Sequence, residues 1–235
     1  FETILFDFAD GVATIIWTFG ETAGSQSVTA DGDGLTGSPV TFTVNVVPDV
    51  AAQLAVATQP STTATNGVAL TTQPAVQVQD QYGNAVDDSD IDITAELLGD
   101  DAVLSGTLTA TTNASGLATF TNLTITGLVG TYQLRFTATD LDAVDSDDIE
   151  LEAGAAAQLA VATQPGTTSA QSSVAIAPQP TIQLQDVSGN PVSQSGVTIT
   201  ATIASGGGTL SGTTTANTDS DGVATFISLA ITGLI

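Results

Sequence analysis

The chain has 235 residues and a formal net charge of −24, from 25 acidic residues and the single basic residue Arg135. It contains no cysteine, histidine or methionine, which excludes disulfides, thiol or imidazole catalysis, and zinc sites built from Cys and His. So negative a chain repels phosphates and anionic lipids, and no stretch is long and apolar enough for a membrane-spanning helix. We therefore expect no enzymatic activity, no nucleic-acid partner and no direct membrane insertion.

The organisation of the chain is a repeat. Residues 51–60 recur letter for letter at 156–165, a shift of 105 residues (156 minus 51). A period of this length indicates tandem domains, each large enough to bury its own core. The sequence predicts three units: the C-terminal half of a repeat at 1–50, a complete repeat at 51–154, and a repeat that lacks its last strands at 155–235. We call these the first, second and third units.

The first unit opens with ten residues, 1–10, that depart from the repeat pattern. Three of the eight phenylalanines of the chain fall within them. They align with 106–115 of the second unit, so we interpret them as a diverged strand. The alternative is an apolar strand that inserts into a neighbouring molecule.

The second unit alternates apolar and polar residues with a period of two, which is typical of half-buried strands. The predicted inward-facing residues are Val76, Val78, Ile91, Ile93, Ala95, Tyr132, Leu134, Phe136 and Ala138. Leu54/Val56 and their repeats Leu159/Val161 are the predicted first core residues of their units, and Trp17, Tyr82 and Tyr132 are also assigned to core packing. About seven short strands separated by Gly and Asn in about 105 residues predict an antiparallel β-sandwich.

A turn motif occurs once in each of the later units. Asp80-Gln-Tyr-Gly-Asn84 is followed by Val86, and Asp186-Val-Ser-Gly-Asn190 by Val192. We interpret each Asp as a turn residue that accepts hydrogen bonds from backbone N–H groups, and each Gly-Asn pair as the part that tolerates positive φ.

This motif, together with three Gly-x-Ala-Thr phrases at 11–15, 116–120 and 222–226, resembles the bacterial immunoglobulin-like tandem repeats of intimin, invasin and giant surface adhesins. The resemblance covers nearly the whole chain from Gly11 onward. It implies an all-β fold of tandem Ig-like antiparallel β-sandwiches, with partial repeats at both ends, on an extracellular or cell-surface protein.

Acidic clusters are the candidate metal ligands. Clustered carboxylates on loops suit calcium, which takes six to eight oxygen ligands. The candidate residues are Asp87, Asp90, Asp140, Asp142 and Asp145. The second unit holds 15 acidic residues and the third only Asp186, Asp219 and Asp221, so the fold itself does not need these charges. Calcium binding and a solvated acidic surface both remain open.

The sequence favours a structural role over a binding role. We expect a stalk segment, or the repeating body of a fibre, whose partners are neighbouring copies of itself or adjacent repeats of a longer chain. The alternative is an adhesin module that binds a host protein or glycan through loops at one end of a sandwich. The loops of the repeats differ mainly in charge, and no aromatic cluster marks a binding hot spot.

Overall fold

The computed structural model describes residues 3–9, 12–166 and 171–233, and all regular structure in these ranges is β-strand. The strands of the first unit are β1 Thr3–Ala9, β2 Val12–Thr18, β3 Gly24–Ala30 and β4 Val40–Val46. Two antiparallel hairpins, β1–β2 and β3–β4, make up this unit. The predicted strand at 1–10 is therefore present as β1, while Phe1, Glu2, Asp10 and Gly11 lie outside the described residues. Within the described ranges no helix could cross a membrane.

The second unit is a closed sandwich of eleven strands. They are β5 Ala51–Thr58, β6 Thr63–Thr65, β7 Ala75–Asp80, β8 Asp92–Leu98, β9 Ala102–Ser105, β10 Thr109–Thr111, β11 Leu117–Thr119, β12 Thr124–Gly127, β13 Gly130–Ala138, β14 Leu141–Asp145 and β15 Ile149–Glu152. Its main sheet has the order β10-β8-β13-β14-β5-β7-β11. Strand β15 pairs with β13 and β6, and β12 pairs with β9. The first strands of the unit therefore lie beside its last strands, which closes the sandwich.

The third unit repeats part of this plan with shorter sheets. Its strands are β16 Gln158–Thr163, β17 Thr181–Gln185, β18 Thr198–Thr200, β19 Thr209–Ser211, β20 Thr215–Asn217, β21 Val223–Thr225 and β22 Ala230–Thr232. The sheets are β16-β17-β21, β18-β20 and β19-β22. Every strand pairing in the described residues stays within one predicted unit.

The hydrophobic cores follow the same division. One buried cluster draws all its members from 51–154 and includes Val76, Val78, Leu134 and Phe136, each fully buried. A second cluster, around Leu184, lies entirely within 155–235. The alternating pattern read from the second unit therefore identified its buried face correctly.

Three predictions about individual residues or strands were wrong. Tyr82 is 49% exposed, because it lies in the turn after β7 and not in a strand. Leu159 and Val161 are 55% and 50% exposed, and the described part of the third unit has no counterpart of strands β13–β15, of which β14 pairs in the second unit with β5, the strand that carries Leu54. Turns with positive φ, such as those at Gly106 and Asn122, divide the second unit into eleven strands instead of about seven.

The pairing is also not purely antiparallel. Strand β14 pairs with β5 in parallel through Asp142 and Gln53, and β15 pairs with β6 in parallel over three residues. Both parallel pairs join the beginning of the unit to its end. Closing the sandwich in this way brings together strands that run in the same direction.

Candidate functional site at the unit junctions

Each Asp-x-x-Gly-Asn motif forms a tight turn at the end of a strand, as predicted. One oxygen of Asp80, Oδ1, accepts hydrogen bonds from the backbone N–H groups of Tyr82 and Asn84, both at 2.9 Å. Gly83 has a φ of 85°, a conformation that glycine adopts without steric cost. The turn at Asp186 has the same bonds, to the N–H groups two and four residues later, again both at 2.9 Å.

The other carboxylate oxygen holds the segment that leads into the unit. Oδ2 of Asp80 accepts from the Asn84 side chain at 2.8 Å and from the backbone N–H of Asp49 at 3.0 Å. Oδ2 of Asp186 accepts from the Asn190 side chain and from the Gly154 N–H, both at 2.9 Å. Asp49 and Gly154 occupy equivalent places just before the second and third units, so each motif fixes its own linker.

The asparagine of each motif reaches the preceding unit. Oδ1 of Asn84 accepts from the N–H of Ala23 at 2.9 Å, and its Nδ2 donates to the carbonyl of Glu21 at 2.7 Å. Asn84 belongs to the second unit, whereas Ala23 and Glu21 belong to the first. Because both contacts are to backbone atoms, they can be made by any residue at position 21 and by any residue except proline at position 23.

The same pair of bonds recurs at the next junction. Oδ1 of Asn190 accepts from the N–H of Val129 at 3.0 Å, and its Nδ2 donates to the carbonyl of Gly127 at 2.8 Å. Positions 127 and 129 follow 21 and 23 by 106 residues, the same spacing that separates Asn190 from Asn84. We call the Asp80–Asn84 arrangement the first clamp and the Asp186–Asn190 arrangement the second clamp.

The second clamp contains one more side chain. Asn66 of the second unit donates through Nδ2 to Oδ2 of Asp186 at 2.6 Å and to Oγ of Ser188 at 2.8 Å. Asn66, Asp186 and Asn190 are 5%, 0% and 2% exposed. Asn84 of the first clamp is only half-buried. The second clamp is therefore the more enclosed of the two.

The carboxyl groups of both clamps are held in the ionised form. Burial raises the pKa of Asp80, but one side-chain amide and three backbone N–H groups donate to it and lower its pKa from 3.8 to about 2. For Asp186 burial again raises the pKa, and donors that include the amides of Asn190 and Asn66 lower it further still. At neutral pH both carboxylates therefore act as hydrogen-bond acceptors.

The predicted calcium residues are brought together only in part. Asp90 and Asp140 line one open cleft of about 430 Å³ together with Asp88 and Asp92. Within the described residues, no group of three or more acidic residues has an arrangement that could hold a metal ion.

The remaining candidates lie outside this cleft lining. Asp145 forms a two-bond ion pair with Arg135, at 2.7 and 2.8 Å, which lowers its pKa. Asp87 and Asp142 are exposed. Calcium binding and a solvated acidic surface therefore both stay open as explanations of these residues.

Sequence reasoning identified the turns but missed the clamps. The motif itself carried the signal for Asp80 and Asp186, because Asp and Asn are favoured in turns. The inter-unit contacts of Asn84 and Asn190 are to backbone atoms, so the residue types at the contacted positions do not reveal them. Asn66 carried no motif at all. The two junctions are related only by their spacing: Asn84 and the residues that it contacts at the first junction have their equivalents 106 residues later at the second.

Comparison with known proteins identifies the domain type. Residues 41–153 match the family model described as SMCHD1 Ig-like domain 6. The match covers slightly less than half of the chain and includes nearly all of the second unit, which is therefore an Ig-like domain. No curated protein matches the sequence.

Several solved structures are similar in fold at low identity. A beta-glycosidase from Bacteroides vulgatus is 13% identical, with a TM-score of 0.38, over 60% of this chain and 19% of that one. Invasin, a bacterial integrin-binding protein, is 14% identical with a TM-score of 0.35, over 95% and 43%. The D0-D1 domain of intimin is 18% identical with a TM-score of 0.30, over 78% and 85%. The chain spans less than half the length of the glycosidase and invasin structures, and none of these likenesses carries an argument about function.

Proposed function

Because residues 41–153 form an immunoglobulin-like domain, we propose that the chain is a non-enzymatic structural segment of an extracellular bacterial surface protein, a stalk or the repeating body of a fibre. The observation that carries this proposal is the equivalence of the two clamps. Asn84 and Asn190 make the same two backbone hydrogen bonds to the preceding unit, and Asp80 and Asp186 hold equivalent linker positions. A contact repeated at successive junctions is what a regular rod requires.

The mechanism of the proposed stalk is mechanical. Domains joined by a short linker move relative to one another unless their interface restrains them. Each clamp restrains its junction with hydrogen bonds to an ionised carboxylate, which are stronger than neutral ones. The net charge of −24 would keep neighbouring rods apart by mutual repulsion.

The partners in this proposal are further units of the same kind. They belong either to the same polypeptide or to neighbouring copies of the chain. The mass of the natural protein under denaturing conditions separates the two cases. A single band near the calculated 23.4 kDa from a protein that still assembles would favour separate copies, and a much larger band would favour one long polypeptide.

The rigidity of the junctions can be measured with pairs of spin labels, because the chain has no cysteine of its own. Leu35, Val103 and Ile227 are 71%, 68% and 62% exposed and lie in the first, second and third units. Cysteines introduced at 35 and 103 report on the first junction, and those at 103 and 227 on the second. We expect narrow distance distributions across both junctions of the parent chain.

Removal of a clamp is expected to broaden only the distribution across its own junction. Asn84→Ala removes the two bonds of Asn84 to Ala23 and Glu21, and Asn190→Ala removes the equivalent pair to Val129 and Gly127. Asn113→Ala is the matched control, because the Asn113 side chain accepts only from the N–H groups of Ser115 and Leu117 within its own unit. Unchanged distributions in both clamp variants would overturn the rod and would favour the adhesin alternative, which needs no fixed angle between units.

A further inference from the structure

We infer that Asn66 is the residue by which the second unit recognises the unit that follows it, and that the partner it fits is an Asp-x-x-Gly-Asn turn with a small hydroxyl residue immediately before the glycine. This inference rests on the proposed function, since it names what one clamped junction accepts. It concerns which neighbour is accepted, whereas the clamps concern how firmly a neighbour is held.

The backbone around Asn66 is fixed by its own unit. The N–H of Asn66 donates to the carbonyl of Glu152 in β15 at 2.9 Å, and the N–H of Gly67 donates to that of Ile125 in β12 at 3.0 Å. Gly67 has a φ of 75°, so the turn needs a residue that adopts the left-handed region. The Asn66 side chain is therefore presented on a rigid loop at the end of the second unit.

The side-chain amide of Asn66 uses both of its ends at the junction. Its Oδ1 accepts from the N–H of Gly127 at 2.9 Å, which fixes the amide orientation and directs Nδ2 towards the third unit. Nδ2 then donates to Asp186 and to the hydroxyl of Ser188. Because Asn66 is 5% exposed, a neighbour without these acceptors would leave a buried donor unpaired, which is unfavourable.

The residue contacted by Asn66 differs between the two turns. The position of Ser188 in the third unit is occupied by Tyr82 in the second unit. Tyr82 is 49% exposed at the first clamp. A tyrosine ring at position 188 would need the space that Asn66 fills, since Nδ2 of Asn66 lies 2.8 Å from Oγ of Ser188. The second junction therefore discriminates between two turns that share the same motif.

The third unit shows that the loop and the residue on it are separable. Its equivalent loop has Ser173 at a φ of 65°, with its N–H donating to the carbonyl of Ile231 at 2.9 Å, as Gly67 donates to Ile125. At the position of Asn66 it carries Ser172, whose Oγ accepts from the N–H of Gly233 at 3.4 Å. The loop conformation is kept while the recognising side chain changes, as expected of a position that selects among neighbours.

The test exchanges the two contacted residues in the full chain. Ser188→Tyr is expected to broaden the distribution of spin-label distances across the second junction. Tyr82→Ser is expected to leave the distribution across the first junction unchanged. Asn66→Ala should broaden the second distribution as Ser188→Tyr does. Ser188→Thr keeps the hydroxyl and is expected to preserve the narrow distribution.

A double-mutant cycle keeps the inference testable if Ser188→Tyr fails to fold. Ser188→Ala removes one hydrogen bond and is expected to lower the melting temperature of the third unit by about 4–8 °C, the shift for a unit of this size, whereas Asn66→Ala removes three bonds and should lower it by more. Together they should lower it by less than the sum, because they remove one shared bond.

The outcomes of the two tests are distinguishable. Broadening by Asn190→Ala without broadening by Asn66→Ala or Ser188→Tyr overturns the recognition role and leaves the rod intact. Additive effects in the cycle also overturn it. Narrow distributions in both Asn84→Ala and Asn190→Ala overturn the rod itself.

Discussion

The second unit and the described part of the third share a scaffold but differ in charge, and the described part of the third has no counterpart of strands β13–β15. Leu54 and Leu159 are the same residue of the same repeated phrase, yet Leu54 is 5% exposed and Leu159 is 55% exposed. The second unit has 15 acidic residues and the third has three. What the two units keep in common is the turn with its Asp and Asn. The Asp and Asn of the turn are therefore the positions that hold the array together, whereas the acidic residues elsewhere can vary from copy to copy.

The largest expected effect comes from the core, where closure differs most. Phe120 is fully buried and packs against Phe136, with ring centroids 5.2 Å apart. Phe120→Ala should lower the free energy of unfolding of the second unit by about 3–5 kcal/mol. Phe226, at the equivalent position of the third unit, is 3% exposed but packs in a smaller buried cluster, and Phe226→Ala should lower the free energy of unfolding of that unit by less. Native-state hydrogen exchange measures the two units separately.

The neighbouring exposed residue provides the control for this experiment. Ile227 follows Phe226 and is 62% exposed, so Ile227→Ala should change the free energy of unfolding of the third unit little. Equal losses for Phe120→Ala and Phe226→Ala would contradict the difference in closure.

The alternating pattern predicted the closed unit well because the information is local. In a strand with one buried face every second residue is apolar, as at Val76, Val78, Leu134 and Phe136. The alternating pattern alone did not predict the exposure of Leu159, because that exposure depends on strands far along the chain, which the predicted bounds of the third unit already left out. Tyr82 was misassigned for the opposite reason, since a local turn removed it from the strand that precedes it.

The clamps were beyond prediction for a physical reason. A side chain that bonds to a backbone atom needs no particular partner residue, so Asn84 and Asn190 select nothing at positions 21 and 127 and exclude only proline at positions 23 and 129. The carboxylate of each motif was correctly assigned to the turn, but that role uses only one of its two oxygens. The second oxygen and Asn66 act between units, where periodicity within a strand carries no information.

Lowering the pH is expected to weaken the first clamp before the second. The expected effect is smaller than that of the core substitutions. The pKa of Asp80 is lowered to about 2, and that of Asp186 is lowered further. A carboxyl whose pKa is lower in the folded chain stabilises fully above its ordinary pKa, and this stabilisation is lost as the pH falls through the folded-state pKa. For Asp80 the window runs from about pH 4 to about pH 2. For Asp186 it extends to lower pH.

The measurement is the label distribution across each junction as the pH is lowered. The first junction should broaden at a higher pH than the second. Asp80→Asn is the control, because an amide does not titrate and the first distribution should then be the same at pH 4 and at pH 2. Broadening of the second junction before the first would contradict the assignment of the two carboxylates.

The smallest expected effect concerns the acidic cleft of the second unit. Asp90 and Asp140 share this cleft, and the corresponding cleft of the third unit is lined by uncharged residues, among them Gln194 and Val197. The described carboxylates form no group of three that could hold a metal. We therefore expect the melting temperatures in calcium and in chelator to agree within about 1 °C at matched ionic strength. This difference is smaller than the shift from one lost hydrogen bond. A rise in calcium confined to the second unit, and abolished by Asp90→Asn, would instead assign the acidic residues to a metal site. The additional acidic residues of the second unit would then serve to bind a ligand. If the two melting temperatures agree, the role that stays for these residues is repulsion between neighbouring rods.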